Sequence, residues 1–209
     1  YGYASSSRFR NPETGFVDWD KIESLNSGEE VEFYDGDTYQ LEANDDGEYI
    51  TTEKNTGLAR RASMNSHNWF GMITNLNHKL SDELTFDVGM DLRSYKGIHY
   101  RRLDNLLGAD GYLDNEDINN PDRVLRTTYP SDIGSLWNVF KPVDDEEKIA
   151  YYNDGLVNWI GFFTQLEYSS GPLSAFIQAA GSQQGYKRID YFQYTPDQQE
   201  TEWENILGG

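Results

Sequence analysis

An all-β fold is predicted, built from antiparallel hairpins of the kind that form a transmembrane outer-membrane β-barrel, with long extracellular loops and short periplasmic turns. Three observations predict it. Two stretches alternate apolar and polar residues over lengths well beyond an ordinary strand. Each folds back on itself through a turn of three or four residues. Long acidic segments precede and separate them, at 9–59 and 103–147. Short turns at one end and long loops at the other, on strands with one greasy and one wet face, are the pattern of such barrels.

The first hairpin covers 60–102, with strands expected at 60–80 and 84–102. Phe70, Met72 and Leu76 share one phase, with Gly71, Asn75 and Asn77 opposite and Ile73 as an apolar interruption of the wet side. After "SDE" at 81–83, Leu84, Phe86, Val88, Met90 and Leu92 alternate with Thr85, Asp87, Gly89, Asp91 and Arg93. The second hairpin covers 148–192, with strands expected at 148–168 and 173–192. Ile160, Phe162, Leu166 and Tyr168 form one face, against Gly161, Gln165 and Glu167, with Phe163 as the exception. "SSGP" at 169–172 is turn chemistry. Leu173, Ala175 and Ile177 then alternate with Ser174, Phe176 and Gln178. The apolar phase is expected against lipid. Asp87, Asp91, Arg93, Gln165, Glu167 and Gln178 are expected to face the lumen, bonded to a plug or merely wetted.

The two hairpins share a short text. "NWFGMITNL" begins at Asn68 and "NWIGFFTQL" at Asn158, identical in Asn, Trp, Gly, Thr and Leu. Successive downward strands of one barrel wall meet the same depth-dependent problem, and a shared environment of that kind selects such a likeness without an internal duplication. Trp69, Phe70, Tyr95, Trp159 and Phe162 lie toward the long-loop ends, and Tyr168 beside a short turn. They read as two interfacial aromatic girdles, or as the general preference of aromatics for strands.

The net charge is −19 in 209 residues without cysteine. The acid is concentrated: residues 9–59 hold 14 acids against 3 bases, and 103–148 hold 11 against 4. So negative a field disfavours nucleic acid as a partner. The absence of cysteine excludes a disulfide scaffold and a Cys-ligated zinc site. No apolar run approaches the length of a spanning helix.

"RRASMNSHNWFG", "DLRSYKGIHYRRLDNLLG", "KIAYYNDGLVNWIGFFTQLEYS", "QGYKRIDYF" and "WENILGG" resemble the barrel of Bacteroidota TonB-dependent receptors, the group that includes SusC-like transporters and relatives with a carboxypeptidase-like regulatory domain. The resemblance spans roughly 60–209. It implies a cell outer-membrane location in a Gram-negative bacterium and a large chain with an N-terminal plug in a barrel of about 22 strands. It also implies import of a bulky nutrient with energy delivered through TonB. The sequence is then expected to be an internal barrel segment, with plug and TonB box outside it and 193–209 starting a further extracellular loop. The partners implied are outer-membrane lipid, the plug and remaining strands, the TonB complex and a SusD-like surface lipoprotein. Glycan, oligopeptide and metal chelate all stay open as cargo. A secreted β-sandwich that binds carbohydrate, and a non-transporting surface barrel or adhesin, are the competing readings.

Catalytic chemistry finds little support. His67, His78 and His99 are the only histidines, and no nucleophile, zinc or phosphate-loop motif occurs. No cofactor is expected. "GADGYLDNEDINN" gathers Asp110, Asp114 and Asp117 in an oxygen-rich loop that suits calcium, though off the EF-hand spacing. "DDGE" at 45–48 and "DDEE" at 144–147 read as solvated acids. Tyr112, Tyr129, Trp137 and Trp203 are the loop aromatics able to stack on a sugar or grip a peptide, or to pack loop on loop.

Overall fold

The computed structural model describes residues 7–52, 57–130 and 144–208, with 145 and 202–208 through their backbone only. One α-helix, α1 (Trp19–Asn26), and a single 3-10 turn at Asp145–Glu147 are found among them. The strands are β1 (Val31–Glu32), β2 (Thr38–Tyr39), β3 (Ile50–Thr52), β4 (Arg60–Lys79), β5 (Leu84–Asn105), β6 (Gly111–Asp114), β7 (Arg123–Leu125), β8 (Ile149–Ser170), β9 (Leu173–Asp190) and β10 (Glu200–Gly208). The chain is therefore all-β. A five-stranded sheet runs in the order β10-β9-β8-β5-β4, with β1-β2 and β3-β6-β7 as separate small sheets. None of these sheets is closed. No helix among the described residues is long and apolar enough to cross a membrane, which says nothing about crossing with strands.

Two compact units divide the chain. The first holds 1–64, 99–152 and 191–195; the second holds 65–98, 153–190 and 196–209.

The second unit is the hairpin wall. Leu80 N–H donates to Leu84 O at 2.8 Å and closes the first turn. The second turn is tighter than its four-residue sequence signal. Ser169 pairs with Ser174 and Ser170 with Leu173, leaving only Gly171 and Pro172 as the loop. Gly171 takes φ +55°, a conformation that costs glycine little and lets the two strands close with their natural twist. The hairpins meet side by side: Ser169 N–H donates to Glu83 O at 2.7 Å, and the Thr164 hydroxyl to Asp87 O at 3.0 Å. The segment 193–209, expected as the start of a loop, instead carries β10, paired antiparallel to β9 from Glu200↔Ile189 to Gly208↔Gly181. "ETEWENILG" places Trp203 and Leu207 in one phase and three glutamates in the other.

The first unit gathers the segments expected as surface loops. Helix α1 is capped by Asp18, whose carboxylate accepts Lys21 N–H at 3.1 Å. It buries Ile22 and Leu25 against Phe9, Val31, Phe33, Leu41 and Leu107. Its last residue, Asn26, is fully buried. The Asn26 amide donates to Leu58 O (2.7 Å), Leu106 O (3.2 Å) and Leu107 O (2.8 Å), and its oxygen accepts Leu58 N–H (3.0 Å). A second core joins Leu103, Tyr112, Leu125, Ile149 and Ala150. β3 pairs parallel with β6, and β6 antiparallel with β7. Among the described residues of 9–59 and 103–130, these two cores join side chains from segments far apart in the chain.

Candidate functional site

The β8–β9 register fixes which residues share a face. Leu166 pairs with Ile177, Phe162 with Gly181 and Ile160 with Gln183; on the opposite face Gln165 pairs with Gln178, Glu167 with Phe176 and Trp159 with Gln184. The apolar face is bare. Phe70, Leu76 and Ile177 are 66%, 61% and 70% exposed. Met72, Ile160, Phe162, Leu166 and Leu173 are exposed too, while Leu84, Phe86, Val88, Met90 and Leu92 on the interior strand β5 are half-buried.

The other face carries the charged group. Asp87 accepts the Asn77 amide at 2.7 Å. Asp91 takes two bonds from Arg93, Nε at 3.0 Å and Nη2 at 2.6 Å, and the guanidinium stands 5.9 Å from the Trp159 ring centre. Beside this pair opens a cleft of about 580 Å³ lined by Trp69, Gly71, Met72, Ile73, Asp91 and Arg93.

Trp69 and Trp159 do not join Phe70 and Phe162 in a girdle on the apolar face. Each indole folds over the glycine two residues on, on the polar face. Trp159 Nε1 lies 3.0 Å from where a Cβ on Gly161 would stand, and Trp69 Nε1 3.9 Å from that point on Gly71. The shared Trp-x-Gly of the two copies is thus an indole with a bare backbone beneath it. Tyr95 takes the same side chemistry differently: its ring stacks on His67 at 5.7 Å, and its hydroxyl bonds His67 Nδ1 at 2.7 Å. Tyr168 stays exposed beside the turn.

In the first unit the loop aromatics part ways. Tyr112 is 2% exposed, so it is a core residue and not a ligand contact. Its hydroxyl accepts Arg61 Nη1 at 3.0 Å, and the parallel pairing of β6 with β3 turns the ring inward. Tyr129 is half-buried, with its N–H on Leu103 O at 2.7 Å. Burial, and then the charges of Glu146, Glu147 and Asp144, push its hydroxyl pKa up. Trp137 lies outside the described residues. Trp203 is placed by its backbone alone, opposite Tyr186.

The three loop aspartates do not converge. Asp110 accepts Tyr49 N–H at 2.8 Å. Asp114 is buried, ion-paired to Arg123 at 3.0 Å, and accepts Ala150 N–H at 3.2 Å. Asp117 accepts Asn119 N–H at 3.0 Å in its own turn. Among the described residues no three acidic or imidazole groups are gathered as a metal site. Elsewhere Glu48 accepts Arg126 at 2.8 Å through both oxygens, which holds its pKa below the usual glutamate range.

Sequence reasoning missed several pairs. Asp154, wholly buried, holds Lys96 at 2.7 Å. Tyr152 stacks on Tyr191 at 4.1 Å with Lys148 4.0 Å from its ring centre. "KIAYYN" and "RIDYF" contain the residues of the tyrosine pair, but only the pairing of β9 with β8 brings Tyr191 beside Tyr152.

The chain matches no protein-family model, no curated protein and no solved structure.

Proposed function

We propose that this chain is a stretch of wall from an outer-membrane β-barrel, and that the barrel is a TonB-dependent importer of a bulky nutrient. The observation that carries the reading is the bare apolar face shared by four adjacent long strands, β4, β5, β8 and β9. The apolar phase runs nine residues on β5 (Leu84–Leu92) and on β8 (Ile160–Tyr168). At about 3.3 Å per residue and a tilt of about 40°, nine residues span about 23 Å, close to the apolar band of an outer-membrane barrel.

A water-soluble sandwich has to cover such a face with a second sheet. Exposure of Phe70, Leu76 and Ile177 near two-thirds argues against that. The open edges of the sheet argue for continuation into further strands, since lipid does not tolerate unpaired backbone. The short turns would then face the periplasm, and the long acidic segments 9–59 and 103–147 the cell exterior. The polar face, with Asp87, Asp91 and Arg93, would face a lumen and its plug. TonB coupling and a SusD-like lid rest on the family resemblance alone.

The test is to label intact cells with a membrane-impermeant lysine reagent and map the products on the native protein. Modification at Lys21 without modification at Lys79, next to the first turn, is the expected result. The reverse pattern overturns the proposed orientation.

A further inference from the structure

The first unit exposes three aromatic rings in the most acidic part of the chain. Phe16 is 76% exposed, Trp19 49% and Tyr34 39%. Phe16 and Trp19 lie within two residues of Asp18, and Tyr34 is tied to it. The Tyr34 hydroxyl donates to Asp18 Oδ2 at 3.0 Å, Trp19 follows Asp18 as the first residue of α1, and Asn11 N–H fixes Phe16 O at 2.9 Å. Exposed carboxylates of Glu13 and Asp20 flank them in sequence.

The chain itself shows what such a ring accepts. Lys21 Nζ stands 4.2 Å from the Tyr34 ring centre while donating to Glu32 O at 2.8 Å. A few residues away the Arg8 guanidinium stands 4.3 Å from the Phe33 centre and pairs with Asp35 and Asp37. Both are a cation on an aromatic face with an oxygen anchoring its N–H groups. Phe16 and Trp19 offer exposed aromatic faces of the same kind, with Glu13, Asp18 and Asp20 close to them in sequence.

We infer that the Phe16–Trp19–Tyr34 patch docks a cationic polypeptide segment, its lysine or arginine heads over the rings and its charge met by the surrounding carboxylates. The excess of 14 acids over 3 bases in 9–59 supplies the complementary field, which speeds encounter as well as holding the segment. The inference concerns the surface of the first unit and stands whether or not the wall lies in a membrane.

The test measures binding of a fluorescent ten-residue Lys/Gly alternating peptide to the intact purified protein at physiological salt. The comparison is with the Phe16→Ser, Trp19→Ser double variant, whose net charge is unchanged and whose altered side chains are exposed. The expected result is about tenfold weaker binding by the variant, from two lost cation–aromatic contacts, and loss of binding by the lysine-acetylated peptide. Equal binding by wild type and variant would mean diffuse electrostatics and would overturn the proposal. So would equal binding of the acetylated peptide, or no binding of the cationic one. A maltooligosaccharide that binds instead, and is lost in the double variant, would make the patch a sugar platform and overturn it as well. Circular dichroism of the variant checks that it folds.

Discussion

The ring of Phe163 lies over Gly89 on the neighbouring strand, so close that a Cβ at Gly89 would stand 2.1 Å from Phe163 Cζ. The same Cβ would come 2.7 Å from Thr74 O on the other side. Phe163 is the apolar exception on the polar face, and Gly89 is the gap that receives it. Gly89→Ala therefore has to displace both a ring and a strand, at a cost of about 1–3 kcal/mol. The variant should assemble less well than wild type, seen as a lower melting temperature of the extracted protein. Unchanged stability would mean that the ring and backbone give way freely.

Asn26 is the tie that makes one body of two distant segments. Asn26→Leu leaves the carbonyls of Leu58, Leu106 and Leu107 and the Leu58 N–H without their partner, at about 1–3 kcal/mol for each group left unsatisfied. Asn26→Asp should be worse, since a carboxylate then faces three carbonyl oxygens. Hydrogen exchange at 22–26 and 103–107 should accelerate in both variants while the β8–β9 hairpin keeps its protection.

The four long strands were legible because a period of two sustained over about nine residues, as on β5, leaves little freedom. The apolar phase of Leu84 to Leu92 allows one register and one pair of faces. Strand β10 was illegible for the opposite reason: Trp203 and Leu207 share a phase with Thr201 and Asn205, and Glu200, Glu202 and Glu204 fill the other, so no continuous greasy face marks it. The girdle reading of Trp69 and Trp159 weighed their depth along the strand above their parity. Their parity matches Gly71 and Gly161, and that signal was in the sequence. Tyr112 carried no such signal. Its burial depends on β6 finding β3, a parallel pairing of strands of four and three residues from segments far apart in the chain. Asn26 reaching Leu107 is the same kind of contact.

Asp114 should prove structural rather than calcium-binding. Its carboxylate holds Arg123 and the N–H of Ala150, which sits at φ +63° at the start of β8. Asp114→Ala removes the carboxylate from a largely buried guanidinium that keeps its bond to Lys148 O, and should destabilise by about 1–3 kcal/mol. The loss should be the same in calcium and in chelator. A calcium-dependent melting temperature in the wild type, abolished by the variant, would restore the metal reading.

Glu48 sets a pH dependence. Its folded pKa is lowered, first by the hydrogen bonds from Arg126 and then by Asn44. A lowered carboxylate contributes stability above its unfolded value, near 4.3, and loses it as pH falls through the folded one. The stability difference between wild type and Glu48→Gln should be constant from pH 7 to about 5 and shrink toward zero below about 4. A difference that grows on acidification would contradict the assignment. Both side chains are partly exposed, so high salt should reduce it.

The barrel reading makes opposite demands on adjacent residues of β5. Val88→Arg puts a cation on the apolar face at a cost of about 2–4 kcal/mol near the lipid midplane, and should abolish the heat-modifiable band of the full-length protein. Asp87→Asn should assemble normally, since an amide oxygen still accepts the Asn77 bond.

Arginine would also injure the core of a soluble sandwich, so the most direct measurement is the partition of the wild-type protein itself. Cells are fractionated, and the native full-length chain is followed through the outer-membrane pellet, a carbonate wash and detergent extraction. The account predicts that it stays in the washed pellet and is released, folded, only by detergent. Native protein in plain buffer, folded and monodisperse without detergent, would contradict the membrane wall whatever the variants did.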